Sequence, residues 1–473
     1  MPNVLAPELD SSLTWLNCPP QRLASHRGHP QLLLFWNAGS AHCQNALQAF
    51  AALAARFRGR ASFLAVHVPK FDSERDGELA LAQLRRQGAA VPLANDGDWA
   101  AWQHFELGAW PTLLLLDSQG VVAQRFVGDR ELDGAAAALD EALDAGFAQA
   151  SGVPAVPRIE ADASTTFLDA PGGLAVGGNR LYVADTGHHR LLECTLDGRV
   201  LRRIGTGNRD FVDGLAETSG FSSPCGLALL QGRLYVADAG NHALRRVDVR
   251  TGEVDTLVGS GKVGDSESGP VAAASAALLD RPCGMAASES QLLFTQASGH
   301  SLWAFELGRG ELHRLSGAGT FGTEDGDADS ARFAQPSALC LMGEFAYVVD
   351  AASSSLRQVR LADGSVRTLF GRGLYEFGHR DGGARHALMQ NPLSVAAMSN
   401  GQGLWIADAG NGLLRRVLFR NQALTTVALP PGITRPSALA AAGGQLFIAD
   451  AGRHALWRMD EDTGEAHRLP VGD

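Results

Sequence analysis

Three side chains that could do chemistry stand close together near the start of the chain: Ser40, His42 and Cys43. A serine or cysteine nucleophile needs a general base within hydrogen-bond reach. Residues two apart on a helix do not face each other, so Ser40 and His42 are an unfavourable pair. We interpret Ser40 as a helix N-cap, His42 as a solvated residue and Cys43 as a buried thiol. The alternative is a lone reactive thiol at Cys43, sensitised by the helix N-terminus.

A second set of candidate residues recurs along the chain. An aspartate follows a short apolar strand at Asp185, Asp238, Asp350, Asp408 and Asp450, where the third copy has Gln296. Recurrence favours a structural role, in which the carboxylate accepts backbone hydrogen bonds at a turn, and we expect the Gln296 turn to be looser. Histidines share another column (His189, His242, His300, His454), as do arginines and tryptophans (Arg245, Trp303, Arg357, Arg415, Trp457). We predict turn and packing roles for them rather than metal binding or catalysis.

The elements that position the first set alternate between strand and helix. Short apolar runs predict strands, alanine- and leucine-rich stretches predict helices, and the alternation favours an α/β sandwich. The predicted elements are strands Gln31–Trp36 and Ala61–Val68, helices Ala41–Arg58 and Glu78–Gln87, a hairpin of Leu113–Leu116 with Val121–Val127 around Asp117–Gly120, and a last helix Glu131–Ala148.

The second set lies in an internal repeat, in which a proline, a short strand, a glycine turn and an aromatic-Val-Ala-Asp strand recur. The six copies begin at Pro171, Pro224, Pro282, Pro336, Pro392 and Pro436. One four-stranded unit cannot bury its faces alone, so six units packed radially predict a β-propeller. The glycine pattern GxGxxG at Gly259–Gly264 and Gly317–Gly322 leaves a blade rather than joining a strand to a helix, so we dismiss a dinucleotide site. The loops that follow (Asp265–Gly269, Glu324–Asp329, Arg380–Arg385) are charged and unlike one another, which is typical of specific contacts.

Composition narrows the function classes. The net charge is −11 and 55 of the 473 residues are glycine. The acidic net charge disfavours a nucleic-acid partner. The sequence has no apolar run long enough for a membrane span or an N-terminal signal, so we expect neither. The six cysteines have no CxxC spacing, so we expect isolated, buried thiols, no metal site, no cofactor and a cytoplasmic protein.

The first third of the chain resembles thioredoxins. The run from Phe35 to Cys43 stands where that family has its FW-x-x-W-C-x-x-C site, and Ala109–Thr112 matches its cis-proline loop. The resemblance implies a cis bond before Pro111 and a peptide groove formed by Trp36, His42, Trp110 and Pro111. Ser40 replaces the attacking cysteine, and Leu34 stands where the family has its buried acid. Dithiol–disulfide exchange is therefore not expected.

The whole chain resembles the NHL-repeat-containing protein 2 family, in which a thioredoxin-like domain precedes NHL repeats, and a bacterial-type relative without a C-terminal β domain fits best. Supporting segments are Trp15–Asn17, Val66–Phe71, Asn95-Asp96 with Trp99–Phe105, and Ala184–Arg190. We predict an α/β thioredoxin-like fold at 1–150, a linker at 151–168 with a candidate ring-closing strand at Arg158–Ala161, and an all-β six-bladed NHL propeller at 169–473.

Two functions from different classes follow from these expectations. The favoured one is a non-catalytic interaction or scaffold protein that holds a protein or a small ligand on a propeller face. The second is a monothiol redox protein acting through Cys43, which needs an accessible thiol of lowered pKa. A metal-dependent hydrolase at the propeller mouth is a third, but the sequence shows no ligand set for it.

Overall fold

The chain forms two compact units in the computed structural model, Met1–Ala163 and Ser164–Asp473. The structure describes residues 5–144, 166–265 and 274–472. The proposed ring-closing strand Arg158–Ala161 lies outside the described residues. The boundaries predicted for the linker stay a prediction.

The N-terminal unit is a mixed six-stranded sheet with helices. Its strands are β1 (Thr14–Trp15), β2 (Gln31–Trp36), β3 (Ser62–His67), β4 (Leu93–Asn95), β5 (Thr112–Leu116) and β6 (Val122–Val127), and its helices are α1 (Ala41–Arg56), α2 (Glu78–Arg86), α3 (Ala100–His104) and α4 (Ala135–Asp144). The order across the sheet is β1-β4-β3-β2-β5-β6. The three central strands β2, β3 and β4 run parallel, and β5 runs antiparallel to β2.

The alternation of β2 explains the two cores of this unit. Leu32, Leu34 and Trp36 point to the face packed with α1, while Leu33 and Phe35 point to the opposite face. All five are at most 1% exposed. A strand buried on both faces must be apolar throughout, which is why the short run Gln31–Trp36 was predictable as a central strand.

The second unit is built of six four-stranded antiparallel sheets, or blades. We call the strands of each blade inner, second, third and outer, in chain order. Their bounds are Gly173–Gly177, Arg180–Asp185, Arg190–Cys194 and Val200–Ile204 in blade 1; Pro224–Leu230, Arg233–Asp238, Ala243–Asp248 and Val254–Val258 in blade 2; Pro282–Ala287, Gln291–Gln296, Ser301–Glu306 and Glu311–Ser316 in blade 3; Pro336–Met342, Phe345–Asp350, Ser355–Arg360 and Val366–Phe370 in blade 4; Pro392–Ala397, Gly403–Asp408, Leu413–Leu418 and Ala423–Val427 in blade 5; and Pro436–Ala442, Gln445–Asp450, Ala455–Asp460 and Ala466–Leu469 in blade 6. A two-residue strand, Gly382–Gly383, adds to the outer edge of blade 5.

The blades close into a ring, because each inner strand contacts the inner strands on both sides and that of blade 6 contacts that of blade 1. In the described residues, blades 1 and 6 each contain four strands of their own. A shared apolar layer joins them, including Leu174 and Val183 of blade 1 with Ala438 and Phe447 of blade 6. The six-bladed propeller preceded by an α/β unit confirms the predicted fold class. Within the described part of the chain, no helix is long and apolar enough to span a membrane.

Candidate functional site

Ser40 begins helix α1 as its N-cap. Its backbone is extended, with φ −88° and ψ 128°, and its hydroxyl oxygen accepts a hydrogen bond from the Cys43 backbone N–H at 3.3 Å. This bond satisfies one of the amides that a helix N-terminus leaves without an intrahelical partner. The capping interpretation of Ser40 is therefore confirmed.

Cys43 lies inside the core of the N-terminal unit. Its side chain is 0% exposed and packs in the layer that holds Trp36 and Phe50. Burial raises the pKa of the Cys43 thiol to about 12, and the charges of Asp129 and Glu74 add to the rise. Hydrogen bonds to the sulfur from the Asn37 N–H and from Ser40 lower the pKa of the thiol, but by less than burial raises it. The accessible thiol of lowered pKa that the monothiol hypothesis needs is absent at Cys43.

His42 is not a merely solvated residue, and that prediction is wrong. Its Nδ1 lies 2.9 Å from Asp129 Oδ1, and Asn45 Nδ2 donates to the other carboxylate oxygen at 2.9 Å. Burial favours the neutral form of Asp129, but the two hydrogen bonds outweigh it and leave the pKa of Asp129 below its ordinary value. Asp129 stands beyond β6, so the sequence could not pair it with α1.

The residues predicted to line a peptide groove do not form a common open surface. The Trp110–Pro111 bond is cis, as predicted, but Pro111 is buried and Trp36 is 0% exposed. Trp110 is half-buried and packs with Trp99 and Trp102, with ring centroids 5.3 and 5.1 Å away. Trp36 thus belongs to the core, and a groove role for it is wrong.

A buried acid that the sequence did not indicate lies beside the Ser40 loop. Glu74 is 1% exposed, and its Oε2 accepts hydrogen bonds from Asn37 Nδ2 at 2.7 Å and from the Lys70 backbone N–H at 2.9 Å. Leu34 is a core residue, as expected. Gly39 is required here, since a Cβ on it would lie 2.3 Å from Glu74 Oε1. Glu74 sits in a charged stretch that predicts solvent exposure, so no local signal marked it.

In the propeller, the repeated aspartates have a structural role, as predicted, but Asp185, Asp238 and Asp408 accept backbone hydrogen bonds from outside their own turns. Each is 0% exposed and accepts a backbone N–H from the segment that precedes its own blade. Asp185 accepts from Asp169, Asp238 from Ser222 and Asp408 from Gln390, each at 2.7 Å. The residues that donate these backbone N–H groups lie 16 or 18 positions before the aspartate in the chain. The hydrogen bonds therefore connect each blade to the loop that enters it.

The repeated arginines join these aspartates to a second acidic column that the sequence analysis missed. Arg245 bonds Asp238 at 2.9 Å and Asp213 at 2.7 Å, and Arg415 bonds Asp408 at 2.7 Å and Asp381 at 2.8 Å. Arg357 bonds Asp325 at 2.9 Å in the same way. The loops entering blades 2, 4 and 5 therefore share one anchor. Two of the loops predicted to be unlike one another, Glu324–Asp329 and Arg380–Arg385, are alike at this one position, and most of the third, Asp265–Gly269, lies outside the described residues. The repeated Asp-Gly pair in each loop was the available signal.

The turn of blade 3 is not looser than the others. Gln296 Oε1 accepts from the Asp280 backbone N–H at 2.5 Å, as the aspartates do in other blades. The bond from the Ala297 N–H to the Arg281 carbonyl, 3.1 Å, matches the bond from the Ala351 N–H to the Gln335 carbonyl in blade 4, 2.9 Å. An amide oxygen replaces a carboxylate oxygen as acceptor, which is why the expected loosening is wrong.

The repeated histidines connect neighbouring blades. His189 Nδ1 accepts from the Ser223 N–H at 3.0 Å, His242 Nδ1 from Arg281 at 3.2 Å, and His454 Nδ1 from Ala170 at 2.9 Å, which closes the ring. These three histidines have a positive φ near 50°. In blade 4, Ser354 has the same backbone conformation, and its hydroxyl oxygen accepts a hydrogen bond from the Asn391 N–H at 3.1 Å. A lone pair on Nδ1 requires a neutral imidazole. The structural interpretation of this column is therefore confirmed.

The inner strands enclose a central channel of about 450 Å³. Small and aliphatic side chains line the channel. At the first position after the repeated proline, its wall carries Cys225 in blade 2 and Cys283 in blade 3. Their sulfurs lie 3.6 Å apart, so the prediction that the cysteines are isolated is wrong for this pair. Cys18, Cys43 and Cys194 are buried. The two cysteines are 58 residues apart but occupy one column of the repeat, in the shared triplet Pro-Cys-Gly.

Large apolar side chains are exposed on one face of the propeller, which we call the loop face. The loop face carries the turns between the second and third strands and the loops that enter the blades. Hydrogen bonds join the two: Asn241 Nδ2 donates to the Asp210 carbonyl at 2.7 Å, and Asn411 Nδ2 donates to the Gly378 carbonyl at 2.9 Å. The large apolar side chains exposed on these loops are Phe211 (37%), Val212 (39%), Leu215 (54%), Val263 (42%), Leu278 (37%), Phe321 (49%) and Tyr375 (77%). Leu215 lies at the other end of its blade, because the neighbouring Gly214 pairs with Val254 at the start of the outer strand. The aromatic side chains Phe211, Phe321 and Tyr375 make the loop face the candidate binding surface of the propeller.

Comparison with known proteins confirms the resemblance found in the sequence. The NHL repeat model matches residues 168–193. The chain is 28% identical to NHL repeat-containing protein 2 of Bos taurus and of Homo sapiens, over 99% and 98% of this chain and 72% and 71% of those proteins. It is 29% identical to Protein SUPPRESSOR OF QUENCHING 1, chloroplastic, of Arabidopsis thaliana over 97% of this chain. The chain spans 47% of the length of that Arabidopsis protein.

Solved structures overlap with the propeller more loosely. A streptogramin B lyase structure covers 65% of this chain and 85% of its own, at 11% identity and a TM-score of 0.42. At that level of similarity the match says nothing about activity.

Proposed function

We propose that this relative of NHL repeat-containing protein 2 is a non-catalytic binding protein that holds a protein partner on the loop face of its propeller. The observation that carries the proposal is the contrast between its two candidate sites. The Ser40–Cys43 segment is built as a helix start, with its thiol 0% exposed, whereas the loop face leaves aromatic side chains in solvent.

The chemistry of the loop face suits a protein partner. Aromatic side chains are enriched among the residues that dominate binding energy in protein interfaces. Phe211, Phe321 and Tyr375 stand on loops that are held by ion pairs between buried arginines and loop aspartates, such as those of Arg245 to Asp213 and of Arg357 to Asp325. A fixed loop loses little conformational freedom on binding, which favours affinity.

Site-specific photo-crosslinking in the source cells tests the proposal. A benzoylphenylalanine placed at position 321 or 375 should yield a discrete crosslinked partner, and Phe321→Glu combined with Tyr375→Glu should weaken binding of that partner at least about tenfold. The matched control is the same photo-probe at Glu344, an exposed residue between the inner and second strands of blade 4. Equal crosslinking at all three positions, or none at 321 and 375, would overturn the proposal.

The non-catalytic part has its own test. The purified chain should not reduce the disulfides of insulin in a manner that depends on Cys43, because burial holds that thiol in its neutral form. Reduction that disappears in Cys43→Ala, with the fold intact by circular dichroism, would contradict it. A cytoplasmic location remains a prediction, and the same holds for the absence of nucleic-acid and membrane partners.

A further inference from the structure

The central channel of the propeller holds two thiols that the proposed function does not use. Cys225 of blade 2 and Cys283 of blade 3 both line the channel, and both side chains are half-buried rather than closed off from it. The Cys225 thiol donates toward Cys283 Sγ at 3.6 Å. The two sulfurs are in van der Waals contact on neighbouring strands and must approach by about 1.5 Å to reach the bonding distance of about 2.05 Å.

The approach of the strands is what brings the sulfurs together. The residue after each cysteine is a glycine, and a Cβ on Gly226 would lie 1.9 Å from the Cys283 carbonyl oxygen. No other residue permits the two inner strands to pack this closely at that position. The close approach therefore depends on glycine, while the cysteines beside it face the channel.

Hydrogen bonding alone does not explain the choice of cysteine. Ser337 and Ser437 occupy the same column in blades 4 and 6, and their hydroxyls donate to the proline carbonyl of the next blade at 3.3 and 2.6 Å. Cys225 makes the same kind of contact with the Pro282 carbonyl, at 3.5 Å. A hydroxyl performs this task with a shorter and stronger bond, so the thiols at two adjacent blades are not required for packing.

We propose that Cys225 and Cys283 form a dithiol site that exchanges with low-molecular-weight disulfides entering the channel, and that its oxidised form is a disulfide between blades 2 and 3. In the first step, the Cys283 thiolate attacks one sulfur of the disulfide, whose S–S bond breaks and releases one thiolate. In the second step, Cys225 gives up its proton to solvent and attacks Cys283 Sγ, which releases the second thiolate. The protein loses two electrons and two protons, and the small disulfide becomes two thiols.

The order of attack follows from the surroundings of the two sulfurs. The hydrogen bond from Cys225 and the guanidinium of Arg281 lower the pKa of Cys283, with burial opposing them. The same hydrogen bond raises the pKa of Cys225, which burial raises further. The carbonyl oxygens of Ala237, Pro282 and Cys283 lie 3.6, 3.5 and 3.6 Å from Cys225 Sγ, so this sulfur is the one that keeps its proton. Cys283 is therefore the attacking thiol and Cys225 the resolving one.

The test treats the folded full-length chain with oxidised glutathione and maps the products by mass spectrometry after alkylation. The wild type should give the Cys225–Cys283 disulfide, and Cys225→Ser should accumulate glutathione on Cys283. In Cys283→Ser neither product should form. Serine is native in this column, so these variants should fold, which near-UV circular dichroism checks.

Cys340→Ser is the matched control, because Cys340 is the cysteine of the blade 4 inner strand and also lines the channel. Its loss should leave the Cys225–Cys283 disulfide unchanged. The proposal is overturned if the folded wild type gives no such disulfide, or if the disulfide forms only after denaturation. Failure here leaves the loop-face proposal untouched, since the crosslinking test involves neither cysteine.

Discussion

The Asp238 carboxylate lies 2.9 Å from the Arg245 guanidinium, and both side chains are 0% exposed in the interior of blade 2. Arg245 also bonds Asp213 and two backbone carbonyls of the loop entering the blade, at 2.9 Å each. Removing one partner of such a pair leaves a buried charge without compensation. The pair thus connects the stability of a blade to the conformation of the loop above it.

Arg245→Ala is expected to lower the free energy of unfolding by about 3–5 kcal/mol, because it leaves the Asp238 carboxylate buried without its cationic partner. The neighbouring Arg246 is the matched control: its bond to Asp255 is 2.7 Å long, but the two side chains are 39% and 45% exposed. Arg246→Ala should cost less than about 1 kcal/mol. Urea unfolding of both variants measures the difference, and equal losses would contradict the assignment of Arg245 to the blade interior.

The contribution of His189 to the stability of the propeller should fall as the pH falls from about 7 to about 5. The pKa of His189 is lowered to about 4, first by burial and then by the charge of Arg209. The unfolded chain, with its ordinary value of 6.5, takes up the proton at a higher pH than the folded chain, so the stabilisation is present above about 6.5 and is lost toward 4. For this one group the loss by pH 5 is about 2 kcal/mol.

His189→Ser is the variant that tests this pH dependence. Ser354 shows that serine in this column adopts the same positive φ and accepts the same kind of backbone bond. The variant should keep the connection between blades while losing the titration, so its stability should change less between about pH 7 and about pH 5 than that of the wild type. An identical pH dependence in urea unfolding would show that His189 does not titrate as the structure implies.

Ser40→Ala is expected to destabilise the start of helix α1 by about 1 kcal/mol, since it removes the acceptor for the Cys43 N–H. Ser40→Asn should retain most of the stability, because asparagine caps as well as serine does. Amide hydrogen exchange in the first turn of the helix measures both. An unchanged exchange rate in Ser40→Ala would mean that the cap contributes nothing.

Gln296→Asp gives blade 3 the residue that the other five blades have, yet it should destabilise the protein. Trp303 stands where blades 2, 4 and 5 have the buried arginine, so the new carboxylate would lack the cation that Arg245 supplies to Asp238. We expect a loss of less than about 3 kcal/mol, because blade 6 already combines a buried Asp450 with Trp457 by means of backbone N–H and hydroxyl donors. In combination with Trp303→Arg the loss should be smaller than the sum of the single losses, which a double-mutant cycle detects; strict additivity would refute the coupling.

Much of the fold follows from patterns that extend over a few residues. The apolar run at Gln31–Trp36, the hairpin around Asp117–Gly120 and the recurring strands could each be predicted within one or two residues, because side-chain alternation and turn residues are local properties. The role of Ser40 as a cap is of the same kind, since a cap bonds within its own first turn. The repeat also predicted the number of blades.

The site residues were predicted less well, because their partners come from other parts of the chain. Glu74 accepts from Asn37 across a loop, His42 pairs with an aspartate beyond β6, and His189 accepts from the following blade. Charge and spacing identify such residues as polar but do not say which are covered when helices and strands pack. Trp36 is the converse case: its position in a family motif suggested a groove, while packing buried it.

The sequence by itself determined the order of the two folds, the six repeats and the cap at Ser40, and its resemblance to thioredoxins predicted the cis bond before Pro111. Only the tertiary structure decided that Cys43 is inaccessible and that Cys225 lies beside Cys283. The physical reason is that burial and contacts between blades depend on how sheets close around an axis. Two residues 58 positions apart meet only because a ring of repeats superposes one column on the next.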